Sequence, residues 1–199
     1  MPDTPDLVFP LPCTTDASLR DVLTAQLAGV DPHAEPPGHL GERGWLLHQG
    51  VADVLQPFVT ALPRDDHDLV RYAGLTASAA GVLLETLTPQ QLADRQNAAP
   101  TLATLLQAAV RHADDVEVHG YVVGPARPDE RLTAEGVDVY GLPFLDVLPD
   151  HGEGCECDRL WALVTERLEL DPSVCGPHEI ALRVNPWRPN EPCWRLWWD

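Results

Sequence analysis

The hydrophobic period of this chain changes once, and that change limits what it can fold into. Up to residue 112 apolar side chains recur at three- and four-residue intervals; from Val116 onward they recur at every second residue. The first spacing places apolar groups along one face of a helix, and the second places them on one side of a half-buried strand. Helices are therefore expected before the change and a sheet after it.

Within the helical half, Ser18 to Gly29 carries Leu19, Val22, Leu23 and Leu27 on one face. Gly44 to Leu62 repeats the pattern with Leu46, Leu47, Val51, Val54, Leu55 and Phe58, and Pro63 stops it. The proline-rich stretch DPHAEPPG between them, residues 31 to 38, reads as a loop. A third helix is expected from about Asp66 to Leu87, its small-residue centre AGLTASAAG allowing close approach of another helix. Thr88, Pro89 and Gln91 form a helix start, with a capping threonine, proline at the first turn and glutamine closing the capping box. Thr101 to His112 presents Leu102, Leu105, Leu106, Ala109 and Val110 to a core.

Past the change, Val116, Val118 and Val122 alternate with Glu117, His119 and Tyr121, and Val137 and Val139 alternate with Asp138 and Tyr140. The segment between, GPARPDERLTAEG, reads as a polar connection. A helix from Asp158 to about Leu170 precedes two more alternating runs, Glu179 to Asn185 and Cys193 to Trp198, joined by NPWRPNEP as a long hairpin loop. The expected fold is α+β: a helical N-terminal half, 1–113, packed on a small, mainly antiparallel ββαββ sheet, 114–199. A length of 199 residues suits one domain.

Composition narrows function. The net charge is -18, from 31 acidic residues against 13 arginines, and lysine is absent. Without lysine the chain supplies neither the P-loop lysine nor a Schiff-base nucleophile. Direct binding to nucleic-acid phosphates needs clustered positive charge, so it is not expected, and a basic protein partner is the better match. No apolar run approaches the roughly 20 residues of a membrane span. The opening MPDTPDLVFPLPC lacks a basic n-region and an apolar core, so a secretory leader is not expected. Five cysteines, an odd and sparse set, point to thiols or metal ligands in a reducing compartment. The expected location is cytoplasmic.

Several motifs carry chemistry. DDHD, Asp65 to Asp68, with His48 upstream and Asp114 or Asp115 downstream, is similar in ligand order to the HD phosphohydrolases. The similarity covers a dipeptide, and Leu69, Val70 and Arg71 stand where that family commonly carries Gly-Lys. Acids at a helix start account for the same residues. Ser18, Ser78 and Ser173 sit in no G-x-S-x-G elbow, and the glycines of GHLGERG follow no strand. Cys175 and His178 could serve as nucleophile and base, although nearness in sequence does not make a triad.

Alternation collects Glu117, His119, Tyr121, Asp138, Tyr140, Arg183, Arg195 and Trp197 on the sheet side opposite the valines. Left open to solvent, this face is a recognition surface with tryptophan and arginine anchors; covered, it becomes a set of buried polar partners or a pocket. The stretch HGEGCECDRLW, residues 151 to 161, supplies candidate metal ligands. A helix of about 13 residues separates its ends by roughly 20 Å, which sets Cys175 and His178 apart from Cys155 and Cys157. Cys193, opening the last strand, should return level with the helix start. His151, Cys155, Cys157 and Cys193 are thus the expected set, suited to a closed tetrahedral zinc site. The function expected is that of an acidic interaction or regulatory protein with a structural zinc. A metal-dependent hydrolase using Asp65, His67, Glu117 and His119 is the alternative.

Overall fold

The structure, a computed structural model, describes residues 17–31, 33, 40–65, 68–148, 151–171 and 175–199. The opening segment, most of the proline-rich loop, Gly38 and His39, and Asp66 and His67 lie outside these residues. The fold is mixed α+β, with seven α-helices and one six-stranded antiparallel sheet among the described residues.

The first helix, α1 (Leu19–Gly29), starts at a complete capping box in which Ser18 and Asp21 satisfy each other's backbone. The single helix expected over 44–62 is instead broken into α2 (Trp45–His48), α3 (Val51–Leu55), a 3₁₀ turn (Gln56–Phe58) and the strand β1 (Val59–Ala61). Gly50 explains the first break: its φ of +76° is left-handed and ends α2. Pro57, in the 3₁₀ turn, cannot continue an α-helix. The N-terminal amides of α2 find their acceptor in the buried Glu130 carboxylate, which takes the amides of Gly44 at 2.6 Å and Leu46 at 3.2 Å.

The helix expected from Asp66 is corrected more sharply. Val70–Leu75 is a strand, β2, and only Ala77–Thr86 is helical, as α4. Thr76 at φ -82°, ψ 166° marks the change. The run VRYAGL is β-branched and aromatic at its start, and a central strand contacting both neighbours suits it better than a helix does. Then follow α5 (Pro89–Leu92), capped by Thr88 and Gln91 as the sequence indicates, and α6 (Leu102–Arg111). The long strands are β3 (Val116–Val123) and β4 (Arg131–Tyr140), so half of the supposed polar connection is strand. After them come α7 (Cys157–Leu168), β5 (Glu179–Val184) and β6 (Pro192–Trp197).

Strand order is β1-β2-β3-β4-β6-β5, every neighbouring pair antiparallel. The expected ββαββ layout and the all-helical first half therefore give way to a sheet drawing strands from both sides of residue 114. Register sets the faces: Val118 opposes Val137, which opposes Leu196, and Val139 opposes Trp194. These side chains are buried and join one hydrophobic cluster with Leu83 of α4, Leu105 and Leu106 of α6, and Leu160 and Val164 of α7. On β5 the same face is only partly covered: Leu182 and Val184, expected in the core, are 44% and 53% exposed. No described helix is long and apolar enough to cross a membrane.

Trp198 closes this core. It is fully buried, packs edge-to-face on Trp161 of α7 with ring centroids 6.0 Å apart, and donates its indole N–H to the Cys175 carbonyl at 3.0 Å. Trp197 points to the other side and is half-buried. Trp198→Ala is expected to cost about 3 to 5 kcal/mol, the range for a buried large aromatic, and Trp197→Ala well under half of that. Urea unfolding of the two variants checks the assignment, which fails if their midpoints coincide.

Candidate functional site

The polar face of the sheet is not open. The loop that joins β5 to β6, residues 185–191, folds back across it. Asn185 donates its side-chain amide to Asp138 at 2.9 Å and Tyr140 at 2.8 Å, with the Cys193 thiol at 3.5 Å. Trp187 donates its indole N–H to Glu117 at 2.8 Å. Arg188 stacks its guanidinium 3.7 Å from the centre of the Tyr140 ring and pairs with Glu117 at 3.7 Å. The approach is close: a Cβ on Gly74 would stand 2.8 Å from the Trp187 ring. Of the eight residues expected to form a recognition surface, Glu117, His119, Asp138 and Tyr140 are consequently buried. Arg195 is largely buried against Asp138. Tyr121, half-buried, donates to Gln96 at 2.6 Å, Arg183 pairs with Glu179 at 3.5 Å, and Trp197 lies half-buried near the sheet edge.

Asp138, with no solvent exposure, is the centre of this face. Arg195 donates to it twice, from Nε at 2.8 Å and Nη2 at 2.7 Å. Burial opposes ionisation, but the Arg195 and Asn185 bonds outweigh it and hold the carboxyl below its ordinary range. Burial pushes the Cys193 thiol up to about 12, helped by Asp138, so it stays protonated. Tyr140 is raised for the same first reason.

Beside this network lies a cavity of about 270 Å³, lined by Arg71, Tyr72, His119, Glu135, Trp187 and Arg195 among others. A second, of about 570 Å³ and mainly apolar, begins across Trp187 and is lined by Phe58, Val59, Gly74 and Glu117. Trp187 lines both, so together they form one groove between β1, β2 and the hairpin loop. Arg71 reaches Glu135 at 2.8 Å over the polar end. His119 is 6% exposed, and its Nε2 is buried without a hydrogen bond. A Cβ on Gly136 would come within 2.3 Å of the His119 ring, so glycine opposite His119 is what leaves room for the ring. Burial lowers the His119 pKa to about 4; Asp138 and the Leu196 carbonyl oppose the shift and Arg195 and Arg71 add to it. The imidazole is neutral at physiological pH.

A separate site lies on the loop before α7. His151, Cys155 and Cys157 bring their ligand atoms within 4.8 Å of one another, the one such group of three among the described residues. The Cys155 thiol is 3.7 Å from His151 Nδ1 and accepts the Leu148 amide at 3.3 Å. Partial burial works against its ionisation, but the Leu148 and Cys157 amides, the ring and the second thiol bring it to about 7. Cys157 is raised, first by its bond to Cys155. Three of the four expected ligands are thus together. Cys193 stands apart in the polar interior, because β6 sends that position to the face opposite α7.

The hydrolase set fares differently. Glu117 and His119 share a face, but Glu117 already accepts from Tyr140 and Trp187, and Asp65 is exposed on the β1–β2 connection. His67 is outside the described residues. Sequence reasoning missed Arg71, placed in a helix, and Asn185, Trp187 and Arg188, read as a plain linker. The one available signal was Trp187 itself, a large aromatic in a turn-rich loop. Comparison of the chain with known protein families, characterised proteins and solved structures finds no match.

The depressed His119 pKa has a consequence for stability. An unfolded histidine takes up a proton near pH 6.5 that the folded protein refuses until about pH 4. The stabilisation is thus complete above pH 6.5 and is lost as pH falls through this window, with a slope approaching about 1.4 kcal/mol per pH unit. Denaturant unfolding at several pH values should show that slope largely removed in His119→Gln; an equal slope in both proteins contradicts the assignment.

Proposed function

We propose that this chain is a non-enzymatic, regulatory binding protein whose ligand is a small molecule held in the groove beneath Trp187. The observation that supports it most is that His119, whose buried Nε2 has no hydrogen-bond partner, lines the polar cavity. A buried polar atom without a partner costs about 1 to 3 kcal/mol, and a ligand carrying a hydrogen-bonding group recovers it. The same cavity presents Arg71, Arg195 and Asn185 against one lining carboxylate, Glu135. An acceptor-rich end, such as a carboxylate or acyl oxygen, fits that inventory. Across Trp187 the groove turns apolar at Phe58 and Val59, which suits a flat hydrophobic body; a few convergent polar groups in an apolar concavity are what small-molecule sites share.

The way two of the acids are used supports binding without turnover. Asp138 is bound by Arg195 and Asn185, and Glu117 by Tyr140 and Trp187. Neither is available as a general base, and a histidine at about 4 is a poor one at neutral pH. The net charge of -18 makes a basic protein the partner best matched to the outer surface, with the hairpin loop linking ligand occupancy to that surface.

Aromatic carboxylates and their amides are suitable probes. A carboxylate at a hundred times its Kd should raise Tm by about 5 °C or more and quench indole fluorescence. Both effects should vanish in Trp187→Ala, and Tm should no longer respond in His119→Ala measured against its own baseline. Ligand-induced stabilisation that persists in both variants, or none with any probe, refutes the reading.

A further inference from the structure

The geometry points to a second site, independent of the groove: His151, Cys155 and Cys157 form a three-ligand centre for an exchangeable thiophilic divalent cation of the zinc class, with its fourth position open. Tetrahedral zinc with bonds of about 2.3 Å to sulfur and 2.0 to 2.1 Å to nitrogen places its ligand atoms roughly 3.5 to 3.8 Å from each other. The Cys155 sulfur and His151 Nδ1 already stand 3.7 Å apart. With all three atoms inside 4.8 Å, capture of an ion requires closing by about an ångström at most, within the reach of side-chain rotation.

The loop is built to hold this arrangement. The Glu156 amide bonds to the Asp146 carbonyl at 2.8 Å, and the Asp146 amide bonds back to the Glu156 carboxylate at 2.9 Å, tying the two ends of the loop together. Inside it the Cys155 amide reaches the Gly152 carbonyl at 3.1 Å. His151 takes a left-handed φ of +49°, a conformation that costs a non-glycine residue energy and turns the chain sharply four residues before Cys155. The Leu148 amide donates to the Cys155 sulfur and favours a thiolate. Cys157 is the first residue of α7, where the helix dipole favours negative charge. Glu153, Glu156 and Asp158 neighbour the ligands in sequence and Asp146 is bonded to Glu156, against the single Arg159, which is already paired with Glu156 at 2.7 Å. A dication balances two thiolates in this field better than any side chain nearby.

Openness follows from exposure and from the position of Cys193. His151 is exposed and both cysteines are half-buried, whereas structural zinc is closed by four protein ligands. The fourth ligand expected from the sequence lies on the opposite face of the sheet. His178, which lines a cavity of about 440 Å³ with His151, has its Nδ1 occupied by the Asp199 amide at 3.0 Å. Among the described residues no other ligand stands with these three, so the fourth place falls to water or to a small exogenous donor.

Cobalt(II) is the probe, titrated into the full chain after reduction and removal of metal. One equivalent should produce a thiolate-to-cobalt charge-transfer band and tetrahedral visible bands, both abolished by zinc. His151→Ala, Cys155→Ser and Cys157→Ser should each weaken binding by about tenfold or more, with circular dichroism unchanged. Cys175→Ser, Cys193→Ser and His178→Ala should bind as the parent does. Added imidazole should shift the visible bands, because the fourth position is accessible. Absence of the charge-transfer band, or cobalt affinity undiminished in Cys157→Ser, overturns the site. Loss of the band in Cys193→Ser or His178→Ala, or indifference to imidazole, overturns the open position.

Discussion

A carboxylate with no solvent exposure in the middle of a sheet sets the terms for everything around it. Asp138 would cost several kcal/mol if left unpaired in the interior. The pairing with Arg195 on β6 answers the charge, but a carboxylate has more lone pairs than one guanidinium occupies. Asn185 supplies the remainder, and it stands where β5 ends and the hairpin loop begins. Satisfying Asp138 therefore draws the start of that loop down onto the sheet. Once Asn185 is held, Trp187 and Arg188 fall within reach of Glu117 and Tyr140, which need partners for the same reason. The groove is the space this folded-back loop leaves over β2 and β3.

The covering explains why the sequence was readable on one face and not on the other. Alternation identified which residues of β3, β4 and β6 point together, because period 2 follows from backbone geometry alone. Trp194, Leu196 and Trp198 are buried with the valines for that reason. What alternation does not contain is the identity of whatever lies on top. An antiparallel sheet usually keeps one wet face, and nothing in NPWRPNEP as a string shows that it bends back instead of projecting outward. The metal cluster was legible for its local part, His151 with Cys155 and Cys157, since a spacing of four and two residues in a loop brings them near. Cys193 was not, because its face depends on a strand register that local spacing does not carry.

The misread helices have a common cause. Residues 44–62 and 66–87 are apolar in a way that satisfies helical spacing over short windows, and short windows cannot separate a helix from a buried strand. Gly50 at positive φ and Pro57 were the interruptions that tertiary structure used. In β2, burial between β1 and β3 rewards Val70, Tyr72 and Leu75, whereas a helix there would leave the sheet edge at β3 unpaired. The capped helices α1, α5 and α6 were legible because their caps are chemical, each side chain bonding an amide three residues on.

The two sites are separated by one short strand. β5 begins beside His178, whose cavity is shared with His151, and ends at Asn185 over the groove. Six residues at about 3.3 Å each put the two ends roughly 20 Å apart. Among the described residues β5 is an edge strand bonded to β6 alone, and its Leu182 and Val184 are about half exposed. It is thus held less firmly than any central strand, since few buried contacts and one ladder of bonds resist its displacement. The groove loop, in contrast, is fastened to the sheet by Asn185, Trp187 and Arg188. Displacing Trp187 would mean breaking those bonds, whereas β5 shifts against one ladder alone.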